Sequence, residues 1–264
     1  MSTGAGWLAL RDELLRWRDA GLVADFWWRD DDATHPTAAL QQLLALSAAA
    51  DVPLALAVIP AGAQPDLLAT RAARVTVLQH GVSHRNLAPP GQKKSEFPAE
   101  EPPPEAVGRL QQGRQTLQSL FGAVALPVLV PPWNRIASAA LLPLLAGGGY
   151  RGLSRFGARR AGDPASGLAQ VNTHVDVIDW RGARGFVGVQ AALDQALRHL
   201  QARRLGEVDL QESTGWLTHH AVHDPATWAF LDELFERTRA DGLVVWRRAD
   251  ALFDPASPDA IAAR

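Results

Sequence analysis

The run Arg29-Asp30-Asp31-Asp32 follows directly on the apolar stretch Leu22-Val23-Ala24-Asp25-Phe26-Trp27-Trp28. Adjacent carboxylates repel, and each needs water, a cation or backbone N–H groups. Further on, His80 and His84 stand four apart, a spacing that suits two nitrogen ligands on one metal if the turn brings both rings to one face. Joined with the upstream acidic run, they make a plausible Asp-His-His site with open coordination positions, as in a catalytic zinc centre. Each feature also has a plainer reading. The aspartates could be a loop before a helix capped by Asp32 or Thr34, and the histidines an ordinary hydrogen-bonded pair. His219 and His220 end another apolar run, with His223 close behind. One of them could donate a proton if a carboxylate tunes it, and Asp176 and Asp179 are the candidates. His35 and His174 are second-tier, and His199, inside a helical stretch, has no expected catalytic part.

Short apolar runs alternate with amphipathic stretches along the chain. Trp7, Leu10, Leu14 and Trp17 give a helix over 7–20, stopped at Gly21. Strands are expected at 22–28, 54–59, 75–79, 126–130, 149–154, 214–218 and 243–246, with an extended segment over 170–180. Helices are expected at 36–50, 65–73, 104–121, 138–146, 189–204 and 224–240. Such alternation implies mostly parallel strands. The length favours a distorted (β/α)7-type barrel in a single domain spanning 1–264. The polar groups then fall at strand ends: 30–32, 80–84, 131–135, 176–180 and 217–220. In a parallel barrel those ends converge on one rim. The aperiodic stretch 85–104, carrying Lys93, Lys94, Ser95 and Glu96, reads as a long loop that could cover the rim.

Composition narrows the class. A formal net charge of −2 argues against a nucleic-acid binder. The absence of cysteine removes disulfides, a thiol nucleophile and Cys-based zinc sites. No apolar run reaches membrane-spanning length, and the charged N-terminal stretch does not read as a signal peptide. These features point to a cytoplasmic protein acting on a small molecule or glycan, with the oligomeric state open.

Together, five short segments resemble, in order, the motifs of the polysaccharide deacetylase family of carbohydrate esterases: T-F-D-D, H-[ST]-x-x-H, R-x-P-[YW], D-x-x-D-W and L-x-H. The counterparts are Trp28-Arg29-Asp30-Asp31, His80-Gly81-Val82-Ser83-His84, Val130-Pro131-Pro132-Trp133, Asp176-Val177-Ile178-Asp179-Trp180 and Leu217-Thr218-His219. The resemblance implies a divalent metal, zinc in first place, on Asp31, His80 and His84. It implies Asp30 as general base, His219 as general acid tuned by Asp179, and the Trp133 backbone N–H at the oxyanion. The reaction implied is removal of an acyl group, acetyl foremost, from an N-acylated sugar or related amide. A silent carbohydrate-binding or regulatory barrel is the competing reading.

Three departures accompany the resemblance. Val130 replaces the motif-three arginine, and Arg135 is the expected substitute, with Arg29 expected to belong to the outer structure. Gly81 stands where Ser or Thr usually follows the first histidine. Asp32 replaces the glycine after the aspartate pair, so Asp31 as base with Asp32 as ligand is the alternative register.

Overall fold

The computed structural model describes residues 3–68, 74–159 and 167–254. Its sheet contains β1 (Ala24–Ala33), β2 (Leu54–Val58), β3 (Val75–His80), β4 (Ala125–Val130), β5 (Gly152–Leu153), β6 (Ala169–Gln170), β7 (Val175–Asp176), β8 (Thr214–Thr218) and β9 (Val244–Trp246). The order is β6-β5-β4-β3-β2-β1-β8-β7, with β9 also paired to β1, and every pairing is parallel. The segment 169–176 pairs with β5 at its start and with β8 at its end. One irregular extended segment thus joins the two edges of a curled sheet, and the expected distorted barrel is what forms.

Alternation of side chains across the strands divides the apolar residues into two sets. Trp27, Ala55, Ala57, Leu78, Val128 and Val130 fill the interior, where the small alanines leave room for the indole of Trp27. Trp28, Leu54, Leu56, Val75, Val77 and Trp216 face outward onto the helices. These are α1 (Thr3–Asp19), α2 (Ala38–Ala50), α3 (Pro103–Phe121), α4 (Leu142–Gly147), α5 (Val189–Arg204), α6 (Pro225–Ala240) and α7 (Ala249–Phe253).

Two local expectations change. β1 does not stop at Trp28 but continues through the aspartates to Ala33. The cap of α2 is therefore Thr37, whose side chain accepts the Leu40 N–H, and not Asp32 or Thr34. The short helix expected at 65–73 is a 3-10 turn over Pro65–Leu68; residues 69–73 lie outside the described residues.

Near the start of β8, on the side away from His219, a buried group of His174, His199 and Glu212 brings three potential ligand atoms together. The imidazoles stack with centroids 3.4 Å apart and planes 12° from parallel. His174 Nδ1 accepts the Gly215 N–H at 3.0 Å. The neutral His174 ring therefore carries its proton on Nε2, which makes that atom a donor and not a ligand. Burial, reinforced by nearby charged groups, pushes the pKa of His174 down to about 3 and that of His199 to about 2.

A depressed histidine pKa means that the unfolded chain binds protons the folded chain refuses. Stability is then complete above the unfolded value near 6.5 and falls as the pH drops toward the folded values. Between pH 7 and pH 5 the loss should reach about 2 kcal/mol for each ring. Denaturant unfolding across that range should show the decline, and replacing both rings by glutamine should flatten it; an unchanged slope would contradict the assignment.

Candidate active site

The end of β1 separates three neighbouring carboxylates. Strict alternation sends Arg29 and Asp31 into the barrel and Asp30 outward. Arg29 is fully buried, and its guanidinium meets both oxygens of Asp31, at 2.8 and 3.0 Å. Its remaining donors reach Ser154 Oγ at 2.6 Å and Asn134 Oδ1 at 2.7 Å. Asp30 accepts from Thr218 Oγ1, from the His220 N–H and, at 2.5 Å, from His220 Nδ1. Burial opposes charge on Asp30, but His220, His223 and Thr218 hold its pKa below the ordinary carboxylate value.

Asp32 breaks the alternation. Its φ of 74° lies in the left-handed region, and the β1–β2 register shifts between Asp30 and Ala33. Such a bulge re-aims a side chain, and strain of this kind collects at functional sites. Here it carries the Asp32 carboxylate to the rim, where Oδ1 lies 3.0 Å from His80 Nε2 and 3.3 Å from His84 Nε2. Asp32, His80 and His84 are thus the three donors that converge, whereas Asp31 is engaged by Arg29.

The tautomer at His80 fixes what this convergence can do. His80 Nδ1 lies 3.0 Å from the Val130 carbonyl, which can only accept. Nδ1 therefore carries the proton and Nε2 of the neutral ring presents a lone pair, the arrangement found in metal-ligating histidines. That lone pair faces a carboxylate oxygen, and Asp32 Oδ1 is buried with no aligned donor among the described residues. Two facing acceptors need a proton or a cation between them. Burial works against charge on His80, but Asp31 and Asp32 outweigh it and raise its pKa. Burial and His80 lower that of His84. Asp32 is itself held below its ordinary value by His80, His219 and His84 in spite of burial. The donor set fits a divalent cation.

The two histidines do not share a helical turn. His84 has a φ of 55° and Gly81 one of 58°, so residues 81–84 form an irregular loop. Glu96, fully buried, holds it by accepting the Val82 N–H at 3.0 Å, the Ser83 N–H at 2.7 Å and the Ser83 hydroxyl at 2.8 Å. A Cβ on Gly81 would lie 2.1 Å from Glu96 Oε2 and 2.6 Å from Pro132 Cδ. The missing Ser or Thr side chain is therefore excluded by a carboxylate that supports the loop from the far side. Glu96 was legible only as part of the 85–104 loop; its role has no local sequence signal.

His219 turns inward at the end of β8, with the edge of Trp180 against it at a centroid distance of 4.7 Å. Asp179 caps its own turn by accepting the N–H groups of Arg181 and Gly182. The motif-four carboxylate in the field of His219 is instead Asp176, whose pKa burial raises against that influence. Asp176 also accepts from the Trp180 indole at 2.9 Å. Trp133 packs on His84 at 4.6 Å. Trp133 and Asn134 are both left-handed, each with φ 54°. Arg135 donates to the Lys94 carbonyl at 2.6 Å, so it ties down the long loop, while the arginine beside the carboxylates is Arg29. His35 contacts Thr34 at the surface.

No family model matches the sequence, and no curated protein matches it. Solved structures do resemble it. A polysaccharide deacetylase from Bacillus cereus, Bc1974, aligns with a TM-score of 0.53 at 16% identity, over 85% of this chain and 91% of that one. The fold is that of the polysaccharide deacetylases. A family 4 carbohydrate esterase from Streptomyces lividans, in complex with acetate, gives a TM-score of 0.52 at 17% identity over 84% and 90% of the two chains. A family 4 acetyl xylan esterase from Clostridium thermocellum, in complex with a cobalt ion, gives 0.52 at 14% identity over 86% and 89%.

Removing the Glu96 support should loosen the histidine loop without touching a ligand. Glu96→Ala is expected to weaken divalent-metal affinity by about 10- to 100-fold, the range typical of groups that orient ligands. Competition against a chelator measures this directly, and wild-type affinity in the variant would remove Glu96 from the site.

Proposed function

We propose that the protein is a metal-dependent hydrolase that removes an acyl group, acetyl foremost, from an N-acylated sugar or related amide. The observation that carries the reading is the lone pair of His80 Nε2, held toward Asp32 by the Nδ1 contact to Val130, with His84 beside it. The likeness in fold to deacetylases and esterases supports it.

Asp32, His80 and His84 would hold the cation, with zinc the first expectation. When bound, it would supply a polarised acyl carbonyl and a more acidic water. Asp31 is then the base, with Asp30 excluded by its outward place and its three bonds. The two-point grip of Arg29 fixes the Asp31 carboxylate, and small errors in placing such a group are costly in rate. His219 is the acid that protonates the departing amine, with Asp176 the carboxylate that interacts with it. In the left-handed turn the N–H groups of Asn134 and Arg135 bond the carbonyls of Pro131 and Pro132, so the Trp133 N–H is the donor this turn would offer the oxyanion. Trp133, against His84, and Trp180, against His219, would offer aromatic surface to a sugar ring.

Purified protein should contain about one divalent ion per chain, the count set by one three-ligand site, and release acetate from an N-acetylated sugar. Asp32→Asn should empty the site. Asp31→Asn should keep the ion and lose activity by at least about 100-fold. The reverse pattern, metal lost with Asp31→Asn and kept with Asp32→Asn, would restore the other register. For Arg29→Gln, kcat should fall about 10- to 100-fold at unchanged metal content. If Arg135→Ala gave that loss instead, the arginine on the Lys94 carbonyl would be the one that matters.

A further inference from the structure

Asp30 remains without a part in this chemistry, although its carboxylate accepts three hydrogen bonds. Its side chain is fully buried on the outward face of β1. Oδ2 accepts the Thr218 hydroxyl at 2.7 Å and the His220 N–H at 2.9 Å, and Oδ1 meets His220 Nδ1 at 2.5 Å. Trp28 Nε1 donates to the same Thr218 hydroxyl at 2.8 Å. Both residues that bond Asp30 flank His219: Thr218 ends β8 immediately before it, and His220 opens the next 3-10 turn.

Resting on the reading of Asp31, Asp32 and His219 above, we propose that Asp30 and His220 form a positioning pair that fixes the general acid relative to the base and the metal ligand. The argument is geometric. Asp30 precedes Asp31 and Asp32 on β1, whose own backbone and Arg29 place those two, so a carboxylate anchored there ties the acid to the strand that carries them. The same carboxylate binds the residues before and after His219, which leaves that peptide little freedom to rotate. β1 and β8 already pair through Asp30 and Thr218, but backbone pairing ends there, one residue short of the acid. The side-chain bonds carry the connection past the end of the ladder. His219 needs such help because its Nδ1 is buried with no hydrogen-bond partner among the described residues. Its ring is therefore oriented by the backbone and by Trp180, not by a direct carboxylate contact. A buried charge pair of this kind contributes little net stability but is costly to break on one side, which suits a pin that must hold one geometry.

The test exploits leaving groups. An amine must be protonated to depart, whereas an activated aryl acetate leaves without help from an acid. Asp30→Asn and His220→Gln should each retain metal and lower kcat on an N-acetylated sugar about 10- to 100-fold, part of the effect of a general acid. KM should hold, and p-nitrophenyl acetate should be cleaved within about twofold of the wild-type rate. The double variant should lose no more than either single one, as expected for residues acting as a unit. Equal losses on both substrates, or losses that multiply in the double variant, would overturn the pairing. Spectra of the 15N-histidine-labelled protein read the geometry without turnover: both substitutions should displace the His219 ring resonances. Unmoved His219 signals would overturn the proposal even in an active enzyme. If the wild type cleaves neither substrate, the reading of the reaction fails, and these spectra still decide whether Asp30 and His220 place His219. If Asp30→Asn does not fold, His220→Gln decides by the same readouts.

Discussion

Three consecutive carboxylates on one strand repel one another, and the site is organised by the need to give each a different counterpart. Asp31 goes inward to a buried guanidinium, Asp30 outward to a histidine, and Asp32 to the rim beside two imidazoles. Alternation along β1 accomplishes the first separation at no conformational cost. The second requires a left-handed residue and a register shift, because a regular strand would have put Asp32 on the same face as Asp30. Of the three, it is the aspartate that leaves the pleat that reaches His80 and His84.

Much of this could be read from the residues in order. The alternating runs give a parallel barrel, and the polar segments fall at strand ends because the apolar runs stop there. His80 and His84 are recognisable by spacing. The choice between Asp31 and Asp32 was not legible, since it depends on a backbone bulge that no local residue type announces; Asp is only modestly tolerant of positive φ. Alternation also explains Arg29. Its expected place in the outer structure followed from comparing it with Asp30, its immediate neighbour, which does point the other way. Compared with Asp31, two residues on, the same rule puts the guanidinium beside the carboxylate. Glu96 and Ser154 act from segments distant in sequence, so only the folded chain brings them to the site.

Two histidine groups show why convergence of donors is insufficient to define a metal centre. At His80 a carbonyl receives Nδ1–H and leaves Nε2 with a lone pair. At His174 a backbone N–H occupies Nδ1, so Nε2 of the neutral ring keeps its proton. The ligand atoms are comparably close in both groups, yet one backbone contact reverses the chemistry. The first group is arranged to accept a cation, and the second to remain neutral within the packing of α5 against β8.

With valine at position 130 and the guanidinium on β1, the Asp31 carboxylate, the proposed base, is held from its own strand. An arginine at position 130 would reach Asp31 across two strands, through β4 and its turn, and its grip would depend on how those elements sit. Arg29 shares a strand and a face with Asp31, so the separation of the pair is set by the pleat itself. The cost is a guanidinium buried inside the barrel, and two separate elements offset it: Asn134, from the turn after β4, and Ser154, just beyond β5. Those contacts have a second consequence. Asn134 follows Trp133, so the arginine that holds Asp31 also holds the turn proposed to face the oxyanion. Val130 is then free to be apolar, and its carbonyl, not its side chain, serves the site by orienting His80.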